Sequence, residues 1–118
     1  MMSHVVIIAL GSNILPAAHM QWALGSISLL LDNIRVSRWL WTEDIKGTGR
    51  MYMNGLVSGI TALSAEELSQ KLKDLEAATG RTKGRVTLDL DLMRYDNRRY
   101  HLNDWPRPYI QQLLPDLQ

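Results

Sequence analysis

Apolar positions along the chain switch repeatedly between a period of two and a period near 3.6, and the switches divide it into six elements. Segment 5–10, VVIIAL, is β-branched and apolar up to Gly11, the pattern of a strand covered in a sheet. Across 16–31 the apolar residues Met20, Leu24, Ile27 and Leu31 fall on one helical face, with Pro16 tolerated in the first turn. Segment 34–42, IRVSRWLWT, is rich in β-branched and aromatic residues and reads as a second strand, followed by a polar glycine-containing loop, EDIKGTGR (43–50). Segment 52–61, YMNGLVSGIT, reads as a third strand in which Gly55 and Gly59 mark a bulge or the close approach of a ligand. SAEE (64–67) is a capping box: Ser64 accepts from the Glu67 N–H while the Glu67 side chain reaches back. Leu68, Leu72 and Leu75 then share a helical face, and Gly80 supplies a left-handed end. Finally VTLDLDLM (86–93) alternates, with Val86, Leu88, Leu90 and Leu92 on one side and Thr87, Asp89, Asp91 and Met93 on the other.

Strand, helix, strand, strand, helix, strand predicts an α+β, ferredoxin-like βαββαβ sandwich: a four-stranded antiparallel sheet with two helices on one face. If the leucines of the fourth strand pack under the helices, Asp89 and Asp91 project from the uncovered face. The tail after Met93 carries Pro106, Pro108 and Pro115 and is expected to be irregular apart from a short helix near 109–114.

Composition narrows the class. With 118 residues, 46% of them hydrophobic, the chain supports one domain over 1–118 and a single core. A net charge of +1 gives no argument for a nucleic acid or membrane partner, and no apolar run approaches the ~20 residues of a membrane helix. An RNA-binding sheet would need exposed aromatics on a basic face, which Asp89 and Asp91 oppose. The absence of cysteine excludes disulfides and thiolate metal sites, and with no recognisable targeting peptide the expectation is a cytoplasmic protein, a monomer or at most a weak dimer.

Charge distribution adds more than its sum. Seven basic residues, Arg81, Lys83, Arg85, Arg94, Arg98, Arg99 and Arg107, crowd into 81–107 around the two aspartates. Carboxylates two apart on a strand have Cα atoms ~7 Å apart on one side, a spacing that suits a hard cation such as Mg²⁺. The plainer reading is a half-exposed strand kept soluble by alternating acids. An acid pair beside a basic loop is what phosphoryl transfer uses, cations bridging the phosphates while guanidinium groups neutralise developing charge. ALGSN (9–13) offers backbone N–H groups to an anion or is an ordinary turn and helix cap, and YMN (52–54) places Asn54 and Tyr52 on one strand face.

Taken in order, ALGSN, YMN, EAATGR (76–81) and TLDLDLM (87–93) resemble the strand-turn LGSN, the Y-x-N strand, the E…GR helix end and the TLDLD strand of the 6-hydroxymethyl-7,8-dihydropterin pyrophosphokinases of folate biosynthesis, over about residues 5–93. The resemblance implies a ferredoxin-like fold that moves pyrophosphate from ATP, the co-substrate, to the pterin hydroxymethyl and releases AMP. It places Asp89 and Asp91 on a pair of ligands for two Mg²⁺ ions, with Arg81 and Arg85 joining them in the catalytic set. Thr42, Tyr52, Asn54 and Tyr109 fall on the pterin side, and Glu76, Arg81, Lys83 and Arg107 on the nucleotide side. Departures are equally specific. Val86 stands where the family places an arginine, with Arg85 one residue earlier, and one residue on a strand reverses the face. The loop from Arg81 to Thr87 is short and lacks a tryptophan, and no Pro-His pair precedes Arg107, although His101 is nearby. These departures carry the alternative, a catalytically impaired homologue acting as a pterin- or nucleotide-binding or regulatory module.

Overall fold

The computed structural model describes residues 3–44, 47–83 and 85–118. Ile45 and Lys46 of the expected 43–50 loop and Gly84 of the basic segment lie outside them. The elements are β1 (His4–Ser12), α1 (Pro16–Ile27), β2 (Asp32–Val36), β3 (Leu40–Glu43), β4 (Met51–Thr61), α2 (Ala65–Ala78), β5 (Asp89–Tyr95), β6 (Arg98–Arg99) and α3 (Pro108–Leu113), closed by a 3-10 turn at Leu114–Leu117. The fold among the described residues is mixed α/β, with three helices and a six-stranded antiparallel sheet ordered β2-β4-β1-β5-β6, β3 also lying along β4.

Six strands replace the expected four. The single strand expected over 34–42 is two short ones on the same edge of β4, because the chain leaves the ladder between them. Ser37 Oγ accepts the Leu56 N–H at 2.8 Å, so a side chain does the work of a ladder bond. Trp39 then lays its indole on Gly55, where a Cβ would stand 2.1 Å from the ring. Gly55 therefore admits an indole, and Gly59 a close approach of Leu31 and Asp32; β4 runs beside β1 in unbroken register, while its ladder with β2 slips by one residue between Asp32 and Arg35, so an expected bulge is found opposite Gly59. The sixth strand is the short return of a hairpin whose turn starts at Asp96, with φ +52°.

Both long helices cover one face. Val6, Ile8 and Leu10 of β1, Val57 of β4, and Leu90 and Leu92 of β5 pack against Met20, Ala23 and Ile27 of α1 and Leu68 and Leu72 of α2. Each of these Val, Leu, Ile and Met side chains contributes about 1.5–3 kcal/mol on burial. The capping box forms, with Glu67 N to Ser64 Oγ at 3.1 Å and Ser64 N to Glu67 Oε1 at 3.0 Å, and Gly80 follows α2 at φ +78°. Helix α1 stops at Ile27, short of the expected 31. Ser28 Oγ bonds the Leu24 carbonyl, and Leu29 and Leu30 make tighter bonds to Ser26 and Ile27, so Leu31 is buried from a turn.

The opposite face is not bare as expected. Leu56 and Met93 with Ile7 and Ala9 present an apolar patch there, and the C-terminal segment covers it with Trp105, Ile110 and Leu113. The tail is thus largely ordered, its helix close to the expected position and started by Pro108 at a position that needs no N–H. Arg38 ties the chain end down, Nε to Asp116 Oδ2 at 2.8 Å. No helix among the described residues is long and apolar enough to cross a membrane.

Candidate active site

Register across three strands builds the site. Gly11 of β1 lies opposite Asn54 of β4 on one side and Asp89 of β5 on the other; two residues back, Ala9 lies opposite Leu56 and Asp91. Residues two apart share a face, so Asn54, Asp89 and Asp91 stand on the side away from α1 and α2. A Cβ at Gly11 would come 3.1 Å from Asn54 Oδ1 and 4.0 Å from Asp89 Cβ, so the glycine leaves a trough between amide and carboxylate. Asn54 is buried and donates from Nδ2 to Thr42 Oγ1 at 2.6 Å, while Tyr52, paired with Thr42 across the strands, is half-buried.

On the other flank Arg81 closes the end of α2 onto β5. Its Nη1 donates to Glu76 Oε2 at 2.8 Å, Asp89 Oδ1 at 2.9 Å and the Leu88 carbonyl at 3.3 Å. The same Glu76 oxygen accepts the Leu90 N–H at 2.7 Å, so this carboxylate covers part of the open edge of β5 and positions the guanidinium. Burial pushes Glu76 up from the ordinary carboxylate range, the Leu90 N–H and Arg81 opposing. Burial works against the charged Arg81, yet Asp89, Glu76 and Asp91 together outweigh it and its pKa is raised.

Asp91 is the most perturbed of these groups. Burial first, then the neighbouring Asp89 charge, raises its pKa from 3.8 to about 6, with His101 pulling the other way. A carboxylate that is costly to ionise beside a second carboxylate is one that a bound cation would relieve, so the donor set fits a hard divalent ion. Tyr109 of α3 is shielded beside this group, its phenol pushed up by burial and by Asp104. Arg107, at the start of α3, sets Nε 2.8 Å from Asp104 Oδ1.

The remaining basic residues lie apart. Lys83 and Arg85 are exposed, on a tight turn closed by Thr82 and Arg85 exchanging backbone bonds at 3.2 Å each way. Arg85 instead borders an open cleft of about 490 Å³ with Asn13, Ile14, Arg50 and Met51. The strand starts at Asp89, three residues later than expected at 86. Ser12 Oγ takes the Thr87 carbonyl at 2.7 Å, the Asn13 N–H takes Val86 O at 3.0 Å, and Thr87 is buried with its hydroxyl 2.7 Å from that of Thr79. Thr87 therefore does not share the aspartate face, and the Gly-Ser-Asn turn is spent on this stitching. Helix α1 begins instead from Leu15 at φ +43°, without a side-chain cap.

A sequence model of the 7,8-dihydro-6-hydroxymethylpterin-pyrophosphokinases matches residues 7–115, which takes in every residue of this site. The chain belongs to that pyrophosphokinase family. A 2-amino-4-hydroxy-6-hydroxymethyldihydropteridine pyrophosphokinase of Synechocystis sp. is 33% identical over 103 residues, covering 81% of this chain and 53% of the relative. The chain spans about half the length of that curated pyrophosphokinase.

Two residues beside Asp89 and Asp91 were given no role by the sequence, where His101 stood out only as a neighbour of the missing Pro-His. His101 Nε2 lies 3.8 Å from Asp91 Oδ1, and Asp104 joins them. The signal was the Asp96-Asn97 turn: counting back along the hairpin from it brings Tyr100 to Met93, whose carbonyl accepts the Tyr100 N–H at 2.9 Å, and so His101 to the Asp91–Leu92 region.

Proposed function

We propose that the protein transfers pyrophosphate from ATP to 6-hydroxymethyl-7,8-dihydropterin, giving AMP and the pterin diphosphate. The observation that carries this reading, beside family membership, is the row Asn54, Gly11, Asp89 with Asp91 next on the same face. It sets a hydrogen-bonding amide for a planar heterocycle across a shallow trough from a carboxylate pair. Asp89 and Asp91 would hold Mg²⁺, two ions in this reading, which when bound polarise and neutralise the phosphates.

The chain's own groups do the rest. Asn54, fixed by Thr42, orients the pterin edge, and Tyr52 and Tyr109 offer ring faces beside it. Arg81, preset by Glu76 and Asp89, meets charge that develops on the transferred group, while Arg107 and the exposed Lys83 and Arg85 draw in the nucleotide phosphates. With the pterin hydroxyl and the β-phosphorus held in line, positioning and electrostatics accelerate the transfer and no covalent enzyme intermediate is needed. Family membership favours this reading over an impaired binding module.

Purified protein incubated with ATP, Mg²⁺ and the hydroxymethyl dihydropterin should release AMP, and Asp89→Ala should abolish release. Pterin binding without AMP under these conditions would instead select the impaired module.

A further inference from the structure

Outside the expected Mg²⁺ pair, the loop after β6 brings an imidazole and a third carboxylate against β5. One ligating atom each from Asp91, His101 and Asp104 lies within 4.8 Å of the others. An ion ~2.0–2.2 Å from tetrahedrally arranged donors sets them ~3.3–3.6 Å apart, so closing around it draws the most separated donors together by roughly 1 Å. We propose that these three residues form a site for a divalent transition ion of the zinc, cobalt or nickel class, distinct from the Mg²⁺ pair and sharing only Asp91 with it.

Three observations carry the proposal. The donor set is mixed: imidazole suits these ions, whereas Mg²⁺ prefers an all-oxygen octahedron completed by water. The loop is built rather than slack, since Asp104 N bonds His101 O at 2.9 Å, Arg107 N bonds Asp104 O at 3.0 Å, and the buried Trp105 anchors its Nε1 on Tyr100 O at 2.9 Å. Arg107 stands beside Asp104 as an ion pair, Nε to Oδ1 at 2.8 Å. Access is open as well, because Asp91 and His101 border a small pocket of about 110 Å³.

Co²⁺ alone, without nucleotide, is the probe, read by its visible absorption. The intact chain should show one saturable site with bands displaced from those of the aqueous ion. His101→Asn suits the backbone at φ +52°, which asparagine adopts readily, and it should weaken Co²⁺ binding about tenfold or more; Asp104→Asn should do the same. Asp89→Asn should retain Co²⁺ binding whatever it does to pyrophosphate transfer, so the two readings fail separately. No displaced bands in the intact chain, or unchanged binding in folded His101→Asn with the ion resting elsewhere, such as at His4 and Asp96, would overturn the site.

Discussion

Arg81 and Arg85 stand four residues apart and live in different surroundings. Arg81 is one-third exposed and spends Nη1 on two carboxylates and a carbonyl, whereas Arg85 is exposed beside an open cleft with Arg50. The contrast teaches that a basic segment is not one functional unit. A guanidinium held before substrate arrives costs no reorganisation during reaction, while a solvated one attracts anions and is screened by salt.

The comparison can be broken most sharply at its bonded half. Arg81→Ala should lower kcat about 10²–10³-fold, the scale for losing one preorganised charge-stabilising donor, and should lower the melting temperature by leaving Glu76 and Asp89 unshielded from each other. An Arg81→Ala enzyme with full kcat would remove Arg81 from the transition state.

A second, smaller effect tests whether the acids on that side are as desolvated as their packing implies. With Asp91 raised from 3.8 to about 6, the native state binds more protons than the unfolded chain in that window, so this group's contribution to stability falls as pH rises through it and levels off above. The difference between the urea midpoints of the parent and Asp91→Asn, measured against pH without metal, should carry that slope. A flat difference from pH 3.8 to 6 would mean that Asp91 is solvated.

The smallest change belongs to the solvated half. Arg85→Ala should raise the KM for ATP by about 1.4-fold to fivefold, the ~0.2–1 kcal/mol of exposed charge pairs, with kcat and folding intact. A kcat loss matching that of Arg81→Ala would erase the distinction.

What the sequence disclosed was what local chemistry decides. The capping box at Ser64, the left-handed Gly80 and the alternation from Leu88 onward rest on neighbours within a few residues, so they could be read directly. The split of 34–42 could not, because it depends on Ser37 reaching Leu56 and Trp39 resting on Gly55, contacts across strands. The same holds for the start of β5, moved by bonds from Ser12 and Asn13, and for the covered second face, where apolar residues scattered over β1, β4 and β5 become one patch only once the sheet exists. In the site, the shared side of Asp89 and Asp91 followed from a period of two, whereas His101 arrives by a hairpin turn that the apolar pattern does not announce.

Beyond Arg94, β6 pairs with β5 no further, and the Leu90 amide on that margin would be free to template a strand from another molecule were it not already satisfied by Glu76. The carboxylate that presets Arg81 is therefore also a guard on the sheet's rim. A reactive centre can sit at a sheet margin without inviting a second copy to zip onto it, because part of the wiring that prepares it is also the seal.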